Sequence, residues 1–156
     1  MRIGLLSDTH GLLRPQATAF LRGCDHLIHA GDIVEPSILD RLRELAPLTV
    51  VRGNNDVGPW AELLPETDWV ELGGVAIYVI HDLHQLPIDP AAAGVRVVVS
   101  GHSHRPLLEE RGGVLYANPG SCGPRRFTLP ISAAELTIDR GRVTGRIVEL
   151  VGPGQR

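Results

Sequence analysis

Residues 95–104 read VRVVVSGHSH, a run of valines that breaks at Gly101 onto two histidines, His102 and His104. Short apolar runs rich in Val, Ile and Leu and broken by Gly have the pattern of buried strands. Four other stretches share this form. Arg2–Ser7 runs into Asp8-Thr9-His10, and His26–Ala30 into Gly31-Asp32. Leu48–Arg52 runs into Gly53-Asn54-Asn55-Asp56, and Val75–Ile80 into His81-Asp82. In open α/β sheets, ligands sit beyond the carboxyl ends of the strands. One edge of one sheet is therefore expected to collect Asp, Asn and His side chains from all five places.

Each piece alone has an ordinary explanation. Asp8-Thr9-His10 could cap a helix, and Gly31-Asp32 and Gly53–Asp56 suit turns. His81 could be a satisfied core histidine. Two histidines on either side of one serine at a strand end are harder to explain by packing, because imidazole is the commonest metal ligand. Neither caps nor turns account for a plausible ligand at five separate strand ends. Carboxylate, amide oxygen and imidazole without thiolate favour Mn²⁺, Fe or Zn²⁺ over Cu(I). The ligands are too many for one tetrahedral zinc and enough for two ions sharing a bridge.

Taken in order, Asp8-x-His10, Gly31-Asp32, Gly53-Asn54-x-Asp56, His81 and Gly101-His102-Ser103-His104 resemble the calcineurin-like metallophosphoesterases. The resemblance covers about residues 2–121. Asn118-Pro119-Gly120-Ser121 and the short chain are similar to the small prokaryotic phosphodiesterase subgroup, which in turn resembles the metal-poor retromer subunit. The resemblance implies a dinuclear metal-dependent phosphoesterase, above all a phosphodiesterase. It also implies in-line attack on a phosphate ester by a metal-bridging hydroxide, with no covalent enzyme intermediate. Asp8, His10 and His104 would hold one ion, Asn54, His81 and His102 the other, and Asp32 would bridge both. Asp8, Asp32, Asn54, Asp56 and His102 are the residues expected to carry the reaction. The two divalent ions are expected to be Mn²⁺, with Fe, Zn²⁺ or Ni²⁺ as alternatives. The competing reading is a metal-poor, protein-binding scaffold of the same fold.

Some positions depart from the family pattern or lie beside it. Larger members carry His directly after the Asn ligand as a proposed general acid; here that position is Asn55, and an amide cannot deliver a proton. Good activity is therefore expected on esters with acidic leaving groups and poor activity on alkyl phosphates. Asp82 follows His81 where the subgroup commonly has Gly, and Ser103 replaces a commoner Thr. Asp56 is expected to accept a hydrogen bond from a ligand histidine and fix its ring, or else to be a turn residue. Pro119-Gly120 fits a type II turn with Ser121 hydrogen-bonding within it. Arg125 and Arg126 either clamp a phosphate or face solvent. His26 and His84 read as surface or loop residues, His29 as core, and Cys122 has no partner that argues for nucleophilic chemistry.

The rest of the chain sets the frame. Pro15 begins a helix to about Leu21, and Pro36 opens a second whose Ile38, Leu42 and Leu45 form an apolar stripe ending at Pro47. Trp69–Leu72 and Val75–Ile80 make a hairpin at Gly73-Gly74, and a short helix spans Asp89–Ala93. Leu107–Glu110 pairs with Val114–Ala117, and Ala134–Ile138 with Arg142–Leu150. The expected fold is α/β: two packed mixed β-sheets flanked by helices, a four-layer sandwich, in one domain over residues 1–156.

Charge and composition exclude several functions. The net charge is −3 and no basic cluster is longer than Arg125-Arg126, which argues against duplex nucleic acid as partner. All 15 basic residues are Arg, so a P-loop, a pyridoxal Schiff base and a lysine nucleophile are ruled out. No apolar stretch approaches the ~20 residues of a membrane span. Cys24 and Cys122 lack a disulfide spacing signature and are expected to be free thiols in a reducing compartment. The expected location is cytoplasmic, the substrate a small-molecule phosphate ester, and a homo-oligomer stays open.

Overall fold

The structure is a computed structural model that describes residues 1–152; the last four residues of the expected 1–156 domain lie outside the described residues. The first half runs β1 (Arg2–Leu6), α1 (Pro15–Leu21), β2 (His26–His29), α2 (Ser37–Arg43), β3 (Leu48–Val50), α3 (Pro59–Glu62) and β4 (Thr67–Leu72). After it come β5 (Val75–Ile80), a 3₁₀ turn (Leu83–Gln85), α4 (Pro90–Ala93) and β6 (Val97–Val99). The chain closes with β7 (Leu107–Arg111), β8 (Val114–Asn118), β9 (Ile131–Asp139) and β10 (Arg142–Val151). Among the described residues no helix is long and apolar enough to cross a membrane.

The strands form two five-stranded sheets, ordered β10-β9-β1-β2-β3 and β4-β5-β6-β8-β7. In each, three strands run parallel: β1, β2 and β3 in one, β5, β6 and β8 in the other. Antiparallel strands complete both sheets. The ligand-bearing ends therefore belong to two sheets, not to one edge of one sheet. Val and Ile runs too short to be helices pair in parallel in both halves, and packing the two sheets face to face brings their carboxyl ends together.

Alternation along the strands builds the layers. Ile3 and Leu5 of β1, Ile77 and Val79 of β5, and Val97 and Val99 of β6 meet in a core between the sheets. Leu6 and Leu27 face outward against Ala17 and Leu21 of α1 and Leu42 of α2. On the other outer face Tyr78, Val98 and Val114 pack under Leu83 and Leu86.

Boundaries differ from expectation where backbone geometry decides them. The second helix ends at Arg43, with Glu44 as its cap, so Leu45 packs from beyond it. The loop after Gly58 contains α3, started by Pro59 at its first turn. β9 begins at Ile131, three residues earlier than expected, because Ile131 pairs with Val151 and bridges to Ser121.

Candidate metal centre

The candidate side chains stand on loops that leave the parallel strands. Asp8 and His10 follow β1, Asp32 follows β2, and Asn54 follows β3. His81 follows β5, and His102 and His104 follow β6. Five of these residues hold left-handed backbone: Asp8 (φ 56°), His10 (43°), Asp32 (57°), His102 (71°) and His104 (61°). Such conformations cost about 1–3 kcal/mol each in a non-glycine residue and cluster where function requires them. Here they turn consecutive side chains into one space. The backbones approach one another closely as well. A Cβ on Gly53 would overlap the amide and Oδ1 of Asp32, and one on Gly101 would overlap the Ser7 hydroxyl.

Two groups of ligand-type atoms result. In the first, Asp8 Oδ1 lies 3.3 Å from His104 Nε2 and 3.6 Å from His10 Nε2, and the two Nε2 atoms are 3.3 Å apart. In the second, Asn54 Oδ1 lies 3.0 Å from His81 Nε2 and 3.1 Å from His102 Nδ1, and these two nitrogens are 3.3 Å apart. Asp32 Oδ2 stands between them, 3.6 Å from His10 Nε2 and 3.3 Å from His81 Nε2. All seven residues expected as ligands thus converge. In the first group Asp8 and His104 are buried and His10 is half-buried, whereas His102 and Asn54 are exposed and open the second to a cavity of about 540 Å³.

These residues fit a pair of cations. Asp8 Oδ1 is buried and has no hydrogen-bond partner among the described residues, nor has Nδ1 of His104. A buried carboxylate oxygen without a partner is costly, and a cation at the convergence of the Nε2 atoms would satisfy it. The other Asp8 oxygen is occupied, since it accepts from the Ser7 hydroxyl (2.6 Å) and the His102 amide (3.0 Å). Burial raises the Asp8 carboxyl, but the His10 and His104 imidazoles and Ser7 outweigh it and hold the group well below the usual carboxylate range. Burial likewise raises Asp32, and His81 and Asn55 bring it down. His81 shows the mirror image: burial lowers it, yet Asp32 and Asp8 raise it overall. The pocket thus stabilises positive charge between two ionised carboxylates.

Several supports were invisible in the sequence. His81 Nδ1 donates to the Ala30 carbonyl at 2.7 Å, which turns Nε2 toward the centre as an acceptor. His29, buried as expected, accepts from the Gly31 amide at Nδ1 and so donates from Nε2 to the Thr9 hydroxyl, 3.1 Å away. Thr9 in turn donates to Ile33 O. This buried relay ties the loop of Asp8 and His10 to that of Asp32. Asn118 Nδ2 donates to Gly101 O and Ser103 Oγ, fixing the His102–His104 loop. Ser7 and Thr9 carry no spacing signal, and Asn118, though it opens the Asn118–Ser121 motif, gives no sign of its partners, because these come from distant parts of the chain.

The remaining candidates find partners of their own. Asp56 accepts from no histidine; its carboxylate takes the backbone amides of Asp32, Gly53 and Val34. Three amides converge on it because the loops after β2 and β3 lie side by side, which no local pattern reveals. The Ser121 hydroxyl donates to the Asp8 carbonyl, outside its own turn. Arg125 donates to the carbonyls of Leu129 and Gly152. His26 lies on β2, bonded to Thr49. Asp82 caps the 3₁₀ turn by accepting from His84 N and stands 3.9 Å from His102 Nε2. Asn55 donates from its side chain to Asp32 Oδ2 at 2.9 Å.

Known proteins share this chain's family and fold. Residues 1–141 match the family model described as the calcineurin-like phosphoesterase superfamily domain. The chain is 34% identical to a probable metallophosphoesterase of Methanothermobacter thermautotrophicus, an alignment covering 98% of this chain and 95% of that protein. Among solved structures, one described as a novel archaeal phosphodiesterase superposes with a TM-score of 0.78 at 26% identity, covering 95% of this chain and all of that one. Vacuolar protein sorting 29 of Cryptosporidium parvum shares the fold with a TM-score of 0.74 at 18% identity, covering 94% of this chain and 96% of that one.

Proposed function

We propose that this chain, which belongs to the calcineurin-like phosphoesterase superfamily and is therefore a phosphoric ester hydrolase, is a dinuclear phosphodiesterase. The observation that carries the reading is Asp32 Oδ2, within 3.6 Å of an imidazole nitrogen from each group. Asp8, His10 and His104 would hold one ion, and Asn54, His81 and His102 the other. Asp32 would touch both. Two divalent cations, Mn²⁺ first and Fe, Zn²⁺ or Ni²⁺ as alternatives, supply Lewis acidity and lower the pKa of bound water toward about 7.

The chain's own residues narrow the mechanism. Lysine and cysteine nucleophiles are excluded at this centre: Lys is absent, and burial pushes the Cys122 thiol up to about 12. Ser7 is spent on Asp8. In this reading transfer goes directly to water: its oxygen bonds to phosphorus in line as the ester P–O bond breaks, and the proton it sheds passes to solvent. The leaving oxygen takes that electron pair. Asn55 cannot protonate it, and its amide is engaged with Asp32, so the leaving oxygen takes its proton from solvent. Rate should fall steeply as leaving-group pKa rises, and the configuration at phosphorus should invert. The reading takes residues 1–156 as one domain acting in the cytoplasm on a small-molecule ester, in keeping with the free buried thiols Cys24 and Cys122.

Elemental analysis combined with turnover of bis(p-nitrophenyl) phosphate tests this. Two ions per chain and Mn²⁺-dependent hydrolysis are expected. A chain that takes up no metal and leaves the diester intact would contradict the reading and favour a protein-binding scaffold.

A further inference from the structure

Two cavities meet at the exposed end of the centre. The first, about 540 Å³, opens directly on Asn54, His81 and His102, and the rest of its wall mixes polar groups such as Arg52, Glu66 and Gln85 with Ile80 and Pro87. The second, about 510 Å³, is the more apolar: Leu83, Pro106, Leu107, Tyr116 and Leu129 line it, beside polar groups such as Arg105 and Asn118. Among the described residues, Asp82 and His102 alone line both cavities. The imidazole of His102 is thus the divide, with Nδ1 toward Asn54 and Nε2 toward Asp82.

A phosphate diester carries two arms that leave phosphorus in different directions. Bound at the centre, it can send one arm to each side of His102. We propose that the second cavity is the subsite for an aryl arm, and that the substrate is a mixed diester joining an aromatic component to a polar one. This inference rests on the phosphodiesterase reading above. Three observations favour an aryl group. Each cavity falls within the roughly 300–1,000 Å³ of small-molecule sites, far more than a methyl arm fills. Tyr116 presents an aromatic ring, steadied by the Arg111 guanidinium 4.2 Å from its centroid. Leu107 is left 40% exposed beside a polar centre, apolar surface that an aryl arm would bury favourably.

Binding of phenylphosphonate and methylphosphonate to the Mn²⁺-loaded chain, measured by calorimetry, tests the subsite without relying on turnover. The wild-type chain should bind the phenyl ligand at least about tenfold more tightly, the scale on which apolar pockets discriminate. The L107S/L129S pair should bring that ratio close to one while leaving methylphosphonate affinity unchanged. L107S alone, on an exposed position of the edge strand β7, should reduce the ratio severalfold even if the pair folds poorly. Gln85→Ala, in the other cavity, should leave it intact. Equal affinities in the wild type, a preference that survives L107S, or an equal loss in Gln85→Ala would overturn the subsite. A preference that depends on protein concentration would do the same by assigning the surface to a second copy. Diester turnover without phenyl preference sinks this inference alone; absence of both turnover and phosphonate binding sinks the phosphodiesterase reading with it.

Discussion

At the residue scale the centre depends on which atoms are left without partners. Asp8 has one oxygen held by Ser7 and the His102 amide and the other bare and buried. Asp32 has both oxygens bonded to Asn55 yet still faces His10 and His81. From this difference, Asp32→Ala should lose both ions together, whereas His104→Ala should mainly weaken one; metal titration with a stoichiometry readout distinguishes the two. Asn55 permits a second prediction. Asn55→His introduces a group able to donate a proton, and general acids contribute about 10²–10⁴-fold. The variant should flatten the dependence of rate on leaving-group pKa, and an unchanged slope would show that residue 55 does not reach the leaving oxygen. His29 gives a third, in the metal-free chain. Burial lowers it from its ordinary 6.5 to about 4, so it stays neutral in the folded chain while the unfolded chain takes up a proton below about 6.5. Folding stability should therefore decline as pH falls from about 6.5 to about 4, and this contribution then levels off. The loss is on the order of 3 kcal/mol. Urea unfolding across that range in EDTA measures it, and His29→Gln should abolish the slope assigned to this group.

At the element scale the site is a consequence of parallel pairing. β1, β2 and β3 end beside one another in one sheet, and β5 and β6 in the other. That much was legible, because every ligand follows a run such as Val97–Val99 or Ile77–Ile80 whose length and valine content admit little but a buried strand. The division into two sheets was less so, since no single strand carries a mark of which sheet it joins. α3 and the 3₁₀ turn Leu83–Gln85 went unread, because helices this short leave no periodicity. The role of Asp56 escaped because it depends on three amides from two loops. Close loop approach also yields a prediction. Gly53→Ala must push the loop after β3 off Asp32, which should destabilise the fold by about 1–3 kcal/mol and weaken metal binding, as denaturant unfolding with and without Mn²⁺ would report.

At the scale of the whole molecule, three apolar layers hold the two sheets and their helices together, and the centre lies at one rim of the packed sheets, open to solvent on the side of His102. Sites formed where two sheets join are tied to the integrity of both, so ions bound there should stabilise the entire fold. At a free concentration 1,000-fold above the dissociation constant, the gain for one site is about 4 kcal/mol. The claim on which the rest depends is that one shared carboxylate serves two cations, and crystals grown with Mn²⁺ test it most directly through anomalous scattering. Two peaks about 3.5–4 Å apart, one among Asp8, His10 and His104 and one among Asn54, His81 and His102, with Asp32 touching both, is the predicted result. A single peak, or none at saturating Mn²⁺, would contradict it.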